Sequence, residues 1–200
     1  MNILLPCKMS SSRIYRKNLQ TIGGLTLLEW GIKKFQKWYP KSQIWVATED
    51  EEVRDIAKYY NCIIYPLILD DVLDRRDASE LLVEWENTLS GTCLLSQLTS
   101  PFTHKKEIDL ALQQCKITMC SAYTTKIFSS DSTEFKLSQD LPDTSFLTGN
   151  FIVRKSRSGL TYKHELSPVS LLSSLDIDYQ EQLEYARWLV KKLHPINDFG

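Results

Sequence analysis

The sequence has no long apolar run. None of its stretches approaches the roughly 20 residues that a membrane span needs, and the N-terminus lacks the basic region and apolar core of a secretory signal. Its cysteines show no CxxC spacing, which argues against a disulfide framework; they are Cys7, Cys62, Cys93, Cys115 and Cys120. We therefore expect a cytoplasmic protein that does not act at membranes. Cys7 lies beside a cationic loop that could lower its pKa, although a structural role is favoured.

Other motifs are missing as well. The three histidines, His104, His164 and His194, lie too far apart in sequence to suggest a metal site. No Gly-x-Ser-x-Gly or Walker-type sequence occurs, which excludes serine hydrolases and P-loop enzymes. With 24 basic and 25 acidic residues the formal net charge is -1, which argues against a nucleic-acid binder that neutralises many phosphates. Positive charge is clustered locally instead, as suits a small anionic ligand.

That cluster follows the first apolar run. Residues 3–5 are apolar, Pro6 ends the run, and a loop follows with three consecutive serines and four cations: Lys8, Arg13, Arg16 and Lys17. In open α/β sheets, backbone N–H groups and cations converge at the carboxyl end of a strand and form anion sites. The loop therefore predicts phosphate binding.

The rest of the chain alternates strands and helices. Strands are expected at 43–47, 62–65, 92–98 and 117–124, and helices at 25–39, 78–89, 105–114 and in the last part of the chain. Thr48 would open a further helix with a capping box, and Lys33, Lys34 and Lys37 would lie opposite the apolar face of the first helix. This pattern predicts a single α/β domain over 1–200, doubly wound, with a mostly parallel sheet. Residues 126–168 depart from this alternation of strands and helices and are interpreted as a small hairpin-like excursion from the main sheet.

Four motifs in this order resemble the acylneuraminate cytidylyltransferases, or CMP-sialic acid synthetases. Their Pro-Ala-Arg-Gly-Gly-Ser-Lys-Gly-(Ile/Leu)-x-x-Lys-Asn fits residues 6–18, with matches at Pro6, Ser11, Ile14, Lys17 and Asn18 and with Lys8 in place of the arginine. Their Ser-Thr-Asp is similar to Ala47-Thr48-Glu49-Asp50, and their Gln-x-Thr-Ser-Pro is intact as residues 97–101. Their Asp-Ile-Asp before a final helix is intact as residues 176–178.

The resemblance implies a Rossmann-like nucleotidyltransferase. A member of this family would transfer CMP from CTP to an acidic sugar, such as a sialic acid-like keto-acid sugar, and release pyrophosphate with the help of Mg²⁺. The resemblance also implies a homodimer, with 126–168 as a possible dimerisation element. Phosphoryl transfer of this kind requires a protein to align the reactants and to offset phosphate charge.

Site residues follow from the same resemblance. Lys8 and Lys17 are the catalytic candidates, and the acceptor sugar would bind Gln97. Nucleotide binding is assigned to Lys8, Ser11, Ser12, Arg13, Asn18, Arg75 and Ser79. The alternatives are a solvated lysine-rich loop, a turn held by Asn18, and a helix cap formed by 99–101. Arg13 and Arg16 could replace a missing loop lysine, and three later cations could either meet a sugar carboxylate or lie on the surface: Lys126, Arg154 and Lys155.

Asp176 and Asp178 are the metal candidates. In an extended chain, residues two apart point to the same face, and hard carboxylate oxygens suit Mg²⁺. As an alternative, Asp178 and Glu181 could form a capping box for the last helix.

The chain also departs from the family pattern. Met9 and Ser10 replace two glycines, Ser12 replaces a lysine, and Thr103 replaces an arginine. Two other hypotheses therefore stay open: a nucleotidyltransferase for another acceptor, and a catalytically silent relative that only binds a nucleotide or a partner protein.

Overall fold

In this computed structural model, residues 1–67, 84–85, 91–116, 118–126, 143–154 and 165–192 are described. The strands are β1 (Asn2–Pro6), β2 (Thr21–Ile22), β3 (Leu25–Thr26), β4 (Gln43–Thr48), β5 (Ile63–Pro66), β6 (Cys93–Ser96), β7 (Thr118–Lys126), β8 (Asp143–Arg154) and β9 (Glu165–Pro168). The helices are α1 (Leu27–Trp38), α2 (Glu51–Tyr59), α3 (Lys105–Gln114) and α4 (Gln180–Lys192), and a 3₁₀ turn spans Lys17–Leu19.

Seven strands form one sheet in the order β5-β4-β1-β6-β8-β7-β9. β1 pairs in parallel with β4 and β6, β4 pairs in parallel with β5, and β7 pairs in parallel with β9. Among the described strands of this sheet, β8 alone runs antiparallel to its neighbours. The predicted α/β fold with a mostly parallel sheet is confirmed.

Both faces of β1 are buried, which explains its uninterrupted apolar sequence. Ile3 and Leu5 pack in the larger core cluster, which includes residues of α1, α2, α3 and α4. Leu4, between them, packs in a second cluster on the opposite face together with Trp85. The sheet thus lies between two apolar layers, and its carboxyl edge is left to loops.

The expected excursion at 126–168 needs a correction. Residues 143–154 and 165–168 belong to the main sheet as β8 and β9, with Phe151 opposite Ser96 and buried. The short apolar run at 151–153 is therefore part of the core rather than of an excursion away from the main sheet. Residues 127–142 and 155–164 lie outside the described residues, and the dimerisation role stays a prediction.

Local signals decide where the first two helices begin. α1 starts two residues later than predicted because Thr26 is its N-cap, in a reciprocal capping box with Glu29. The preceding residues form the β2–β3 hairpin, whose turn places Gly23 and Gly24 at φ 58° and 85°, in the left-handed region that glycine adopts most easily. The predicted Thr48 capping box is wrong, since Asp50 caps α2 by accepting the Val53 N–H at 3.0 Å.

The predicted helices at 105–114 and 78–89 differ in how much of them the structure describes. α3 spans Lys105–Gln114, as the sequence predicted. Within 78–89 the structure describes Glu84 and Trp85, which are helical. None of the helices in the described part of the chain has the length and apolarity that crossing a bilayer would take.

Lys34 was predicted to lie opposite the apolar face of α1, but it is buried, with 2% of its surface exposed. Its ammonium lies 5.2 Å and 5.4 Å from the ring centroids of Phe35 and Trp38. Burial lowers the pKa of Lys34 to about 7. The reason is that Lys34 lies one helical turn from Trp30 and from Trp38, which are both buried, so it shares the buried face of α1.

Candidate active site

Two segments meet at the carboxyl edge of the parallel strands. The loop after β1 is joined to the end of β4 by the Cys7 N–H, which donates to the Ala47 carbonyl at 2.8 Å. The segment before α4 is joined to the chain after β6 by the Ile177 N–H, which donates to the Thr99 carbonyl at 2.8 Å. Because β1, β4 and β6 are parallel and adjacent, both segments lie at the same edge of the sheet.

The predicted cations and one predicted carboxylate are in direct contact. Lys17 Nζ lies 2.7 Å and an Arg13 guanidinium nitrogen 3.0 Å from Asp178 Oδ1. The side chains of Lys17 and Asp178 are 15% and 28% exposed, so their contact is partly shielded from water. Residues from two separate motifs, 161 positions apart, therefore form one charged centre.

The capping alternative for Asp178 is wrong. Gln182 Oε1 accepts the N–H groups of Asp178 and Tyr179, at 2.7 Å and 2.8 Å, and so closes the N-terminus of α4. The Asp178 carboxylate is thereby left to the loop cations.

Asp176 is more deeply placed than Asp178. Burial raises its pKa, and the nearby Asp178 charge raises it further, while a hydrogen bond from Thr99 and the charges of Lys17 and Arg13 act in the opposite direction. Asp176 Oδ1 is buried without a hydrogen-bond partner. A buried carboxylate oxygen in this condition is costly unless a cation or a proton reaches it.

The two carboxylates fit a magnesium ion that is shared with a ligand. Among the described residues, no three histidine, cysteine or carboxylate side chains come together as a metal site by themselves. Mg²⁺ is typically bound by one or two carboxylates, with waters and substrate phosphates as the remaining ligands. Asp176 and Asp178 provide that number of protein ligands, and the unpartnered oxygen of Asp176 is a donor of the right chemistry.

Asn18 is held inside the loop. Its Nδ2 donates to the Lys8 carbonyl at 3.0 Å, and the residue is 7% exposed. The next peptide N–H, that of Met9, donates to Glu49 Oε1 at 2.7 Å. Met9 itself packs against the larger core cluster, so the side chain that replaces a family glycine is directed to the protein interior. Sequence reasoning gave Glu49 no role of its own, although it lies within a recognised motif.

The remaining loop residues divide into two groups. Ser11 Oγ accepts the Ile14 N–H at 3.4 Å, a weak contact within the loop, and Ser12 is exposed. Arg16, at φ 48°, pairs with Glu52 at 2.8 Å and Asp50 at 3.5 Å, on the α2 side. Of the two arginines considered as replacements for a loop lysine, Arg13 therefore lies at Asp178 and Arg16 does not.

Gln97 follows β6 at the same edge of the sheet. Its N–H donates to the Asn150 carbonyl at 2.9 Å, and the residue is half-buried. The N-cap of α3 is His104, so residues 99–101 do not cap this helix and that alternative is wrong. Thr103, which replaces a family arginine, is buried and donates its hydroxyl to the Ser100 carbonyl at 3.0 Å.

One other predicted residue that the structure describes, Arg154, is not at this edge. Arg154 pairs with Cys93 at the amino end of β6 and is buried, so it fits neither of the two roles considered for it, contact with a sugar carboxylate or a place on the surface. The residues Arg75, Ser79 and Lys155 and the side chain of Lys126 lie outside the described residues.

Cys7 is a structural residue. Its thiol is buried, and burial raises its pKa, with a further increase from the Glu49 and Asp50 charges. The lowered pKa that the cationic loop suggested is therefore wrong.

This fold recurs in solved nucleotidyltransferase structures. It matches CMP:2-keto-3-deoxy-manno-octonic acid synthetase complexed with CTP with a TM-score of 0.74 and 13% identity, over 96% of this chain and 98% of that one. It matches 4-diphosphocytidyl-2C-methyl-D-erythritol synthase from Anaerococcus prevotii DSM 20548 with a TM-score of 0.63 and 15% identity, over 95% and 97% of the two chains. At these identities the likeness establishes the shared α/β fold.

The sequence places the chain within that class. The family model described as cytidylyltransferase matches residues 2–193, and the chain belongs to this family. A 3-deoxy-manno-octulosonate cytidylyltransferase from a Nitratiruptor species is 29% identical over 138 residues, which are 66% of this chain. The match spans 56% of that relative, so little more than half of its length is represented. The predicted cytidylyltransferase family is thereby confirmed.

Proposed function

We propose that this protein transfers CMP from CTP to the hydroxyl of an acidic keto-acid sugar, with Mg²⁺ bound and pyrophosphate released. Sugars of the 3-deoxy-manno-octulosonate and sialic acid type are the candidate acceptors. The proposal rests above all on one observation: Lys17 and Arg13 lie at 2.7 Å and 3.0 Å from Asp178, beside the half-buried Asp176 with its buried, unpartnered Oδ1.

This arrangement suits a reaction on a triphosphate. The acceptor hydroxyl attacks the α-phosphorus and gives up its proton to solvent, the bond from the α-phosphorus to the oxygen that bridges it to the β-phosphorus breaks, and pyrophosphate leaves with the electron pair. Such transfer requires cations that offset charge on the phosphates and groups that hold the reactants in line. Lys17 and Arg13 would exchange Asp178 for phosphate oxygens, and Lys8 would contact the nucleotide from the same loop.

Asp176 and Asp178 would hold the Mg²⁺ ion, which when bound polarises phosphate oxygens and neutralises developing charge. The donor set supports this assignment because both ligands are hard oxygens and Asp176 keeps an oxygen without a partner. Gln97, at the end of β6, would contact the acceptor. The relative named for 3-deoxy-manno-octulosonate supports an acceptor with a carboxylate.

Pyrophosphate release tests the proposal directly. The protein is incubated with Mg²⁺ and each of the four ribonucleoside triphosphates, against 3-deoxy-manno-octulosonate, N-acetylneuraminate and a neutral hexose. Pyrophosphate should appear with CTP and an acidic acceptor and should not appear with the neutral hexose.

The rival hypotheses give different results. Turnover of CTP with a phosphonate, and none with a keto-acid sugar, would show that the acceptor belongs to another chemical class. CTP binding without turnover on any acceptor, unchanged in Asp176→Asn, would favour the silent relative. Sedimentation equilibrium of the active protein tests the homodimer, which stays part of the proposal.

A further inference from the structure

One peptide group of the nucleotide loop is held at both of its polar ends. The carbonyl of Lys8 accepts from Asn18 Nδ2 at 3.0 Å, and the N–H of Met9 donates to Glu49 Oε1 at 2.7 Å. These two atoms belong to the same planar peptide unit. With both ends bonded, the plane cannot rotate without breaking a hydrogen bond, so the direction of the chain on either side is fixed.

The partners come from two different parts of the fold. Asn18 belongs to the 3₁₀ turn Lys17–Leu19 and is the direct neighbour of Lys17. Glu49 lies between β4 and α2. The peptide therefore joins the cationic end of the loop to the edge of the sheet. The Cys7 N–H bond to Ala47, at 2.8 Å, adds a third attachment at the start of the loop.

Glu49 is not needed for the formation of α2. Asp50 already caps α2 through the Val53 N–H, and Glu51 and Glu52 supply negative charge in the first helical turn. Glu49 also keeps its second carboxylate oxygen, Oε2, buried with no hydrogen-bond partner. Burying such an oxygen opposes folding. The residue therefore has no stabilising role in α2 that would account for this cost.

We infer that Glu49 is a positioning residue for nucleotide binding, acting with Asn18 on the Lys8–Met9 peptide. This inference rests on the proposed function. The peptide, once fixed, directs Lys8 and the loop that continues to Arg13 toward the triphosphate. Loss of the Glu49 bond leaves the Lys8–Met9 peptide held by Asn18 at its carbonyl and by the packing of the Met9 side chain against the core, but no longer held at its N–H. The acceptor function of Oε1 matters here, and the negative charge does not.

Two substitutions at one position separate these properties. Glu49→Ala removes the acceptor and should weaken binding of Mg²⁺-CTP by about tenfold or more, since it leaves the Met9 N–H without its hydrogen-bond partner. Glu49→Gln keeps an amide oxygen at the same place and should stay within about threefold of the wild type. The acceptor-sugar KM should change in neither variant. Glu51→Ala and Glu51→Gln, on an exposed residue two positions away, are the matched controls and should bind CTP as the wild type does.

Asn18→Ala tests the other end of the peptide. If both residues hold one group, the double variant Glu49→Ala, Asn18→Ala should lose less affinity than the product of the two single losses. Amide hydrogen exchange gives a readout without nucleotide. The Met9 N–H should lose protection in Glu49→Ala and keep it in Glu49→Gln.

Four results would overturn the inference. Tighter CTP binding in either Glu49 variant would make Glu49 an internal competitor of the phosphates. Unchanged binding in Glu49→Ala with a lowered melting temperature would make its role purely structural, and full additivity with Asn18→Ala would separate the two contacts. If the wild-type protein binds no nucleotide while its Met9 N–H is protected from hydrogen exchange, the proposed function is refuted. Glu49 would then only stabilise the loop.

Discussion

Asp178→Asn separates the catalytic and structural contributions of one carboxylate. The substitution keeps the size of the side chain and removes the charge that faces Lys17 at 2.7 Å and Arg13 at 3.0 Å. Partly exposed ion pairs contribute up to about 1 kcal/mol each. Loss of the repulsion between Asp178 and Asp176 acts in the opposite direction, because that repulsion raises the pKa of Asp176.

The expected cost in stability is therefore small. A net loss of about 1 kcal/mol corresponds to a decrease in melting temperature of about 2–4 °C for a chain of this size. The loss in turnover should be much larger, because a metal ion contributes several kcal/mol to charge stabilisation and each 1.4 kcal/mol is a factor of ten. We expect pyrophosphate release to decrease by about 100-fold or more.

Binding measurements sharpen this test. In Asp178→Asn, metal-free CTP should bind as well as or better than to the wild type, because Lys17 and Arg13 are released from their carboxylate. The gain in affinity on adding Mg²⁺ should disappear. Titration calorimetry with and without Mg²⁺ measures both effects.

Asp55→Asn is the matched control. Asp55 is 78% exposed and pairs with Lys58 on α2 at 3.4 Å, so the same change removes an ion pair far from the proposed chemistry. It should leave turnover and CTP binding unchanged. If Asp178→Asn turns over within about threefold of the wild type while its melting temperature decreases as expected, the metal assignment and the reasoning from this contact are refuted.

Three further substitutions test other parts of the structure. Burial lowers the pKa of Lys34 to about 7, whereas a lysine in the unfolded chain has a pKa of about 10.5. Between about pH 7 and pH 10.5 the unfolded chain therefore binds more protons than the folded one, and the free energy of unfolding should increase with pH. Urea unfolding at pH 6.5 and 9.5 should show this increase, Lys34→Met should abolish it, and the exposed Lys37→Met should retain it. A Cβ at Gly31 would lie 2.5 Å from Leu98 Cδ2, so Gly31→Ala should lower the free energy of unfolding by about 1–3 kcal/mol, and a more stable variant would contradict the packing. Met9→Gly removes a half-buried side chain and adds backbone freedom, so a loss of about 1–2 kcal/mol is expected in urea unfolding and no loss would mean that Met9 does not contribute to the core.

The sequence predicted elements whose signals are local. The helix at 105–114 was predicted to the residue, because its apolar spacing and its ends lie within one short segment. The place of β8 was not predicted, since pairing between β6 and β7 depends on contacts with strands distant in sequence, and a run as short as 151–153 does not indicate its partners. The charge pattern of α1 failed at Lys34 for a different reason: this lysine lies one helical turn from Trp30 and Trp38, so its position on the helix, and not its charge, decides its burial.

The candidate site was predicted in the same uneven way. Lys17, Arg13 and Asp178 carry charge in recognisable motifs, and the structure places them in contact. Glu49 gave no signal of its own, because an acidic residue just before a helix is ordinarily interpreted as part of its first turn. Its bond to Met9 depends on a backbone N–H, and every residue except proline has one. Asn18 was expected at the nucleotide, whereas its amide contacts the loop backbone.

The long separation between Lys17 and Asp178 also bears on how the protein is made. Two hydrogen bonds that hold the start of the loop need only residues up to Glu49, since the Cys7 N–H donates to Ala47 and the Met9 N–H donates to Glu49. Asp178, the carboxylate that pairs with Lys17, follows 161 positions later in the chain. Lys17 and Arg13 are therefore synthesised long before the carboxylate with which they pair, so in a nascent chain these two cations lack that partner.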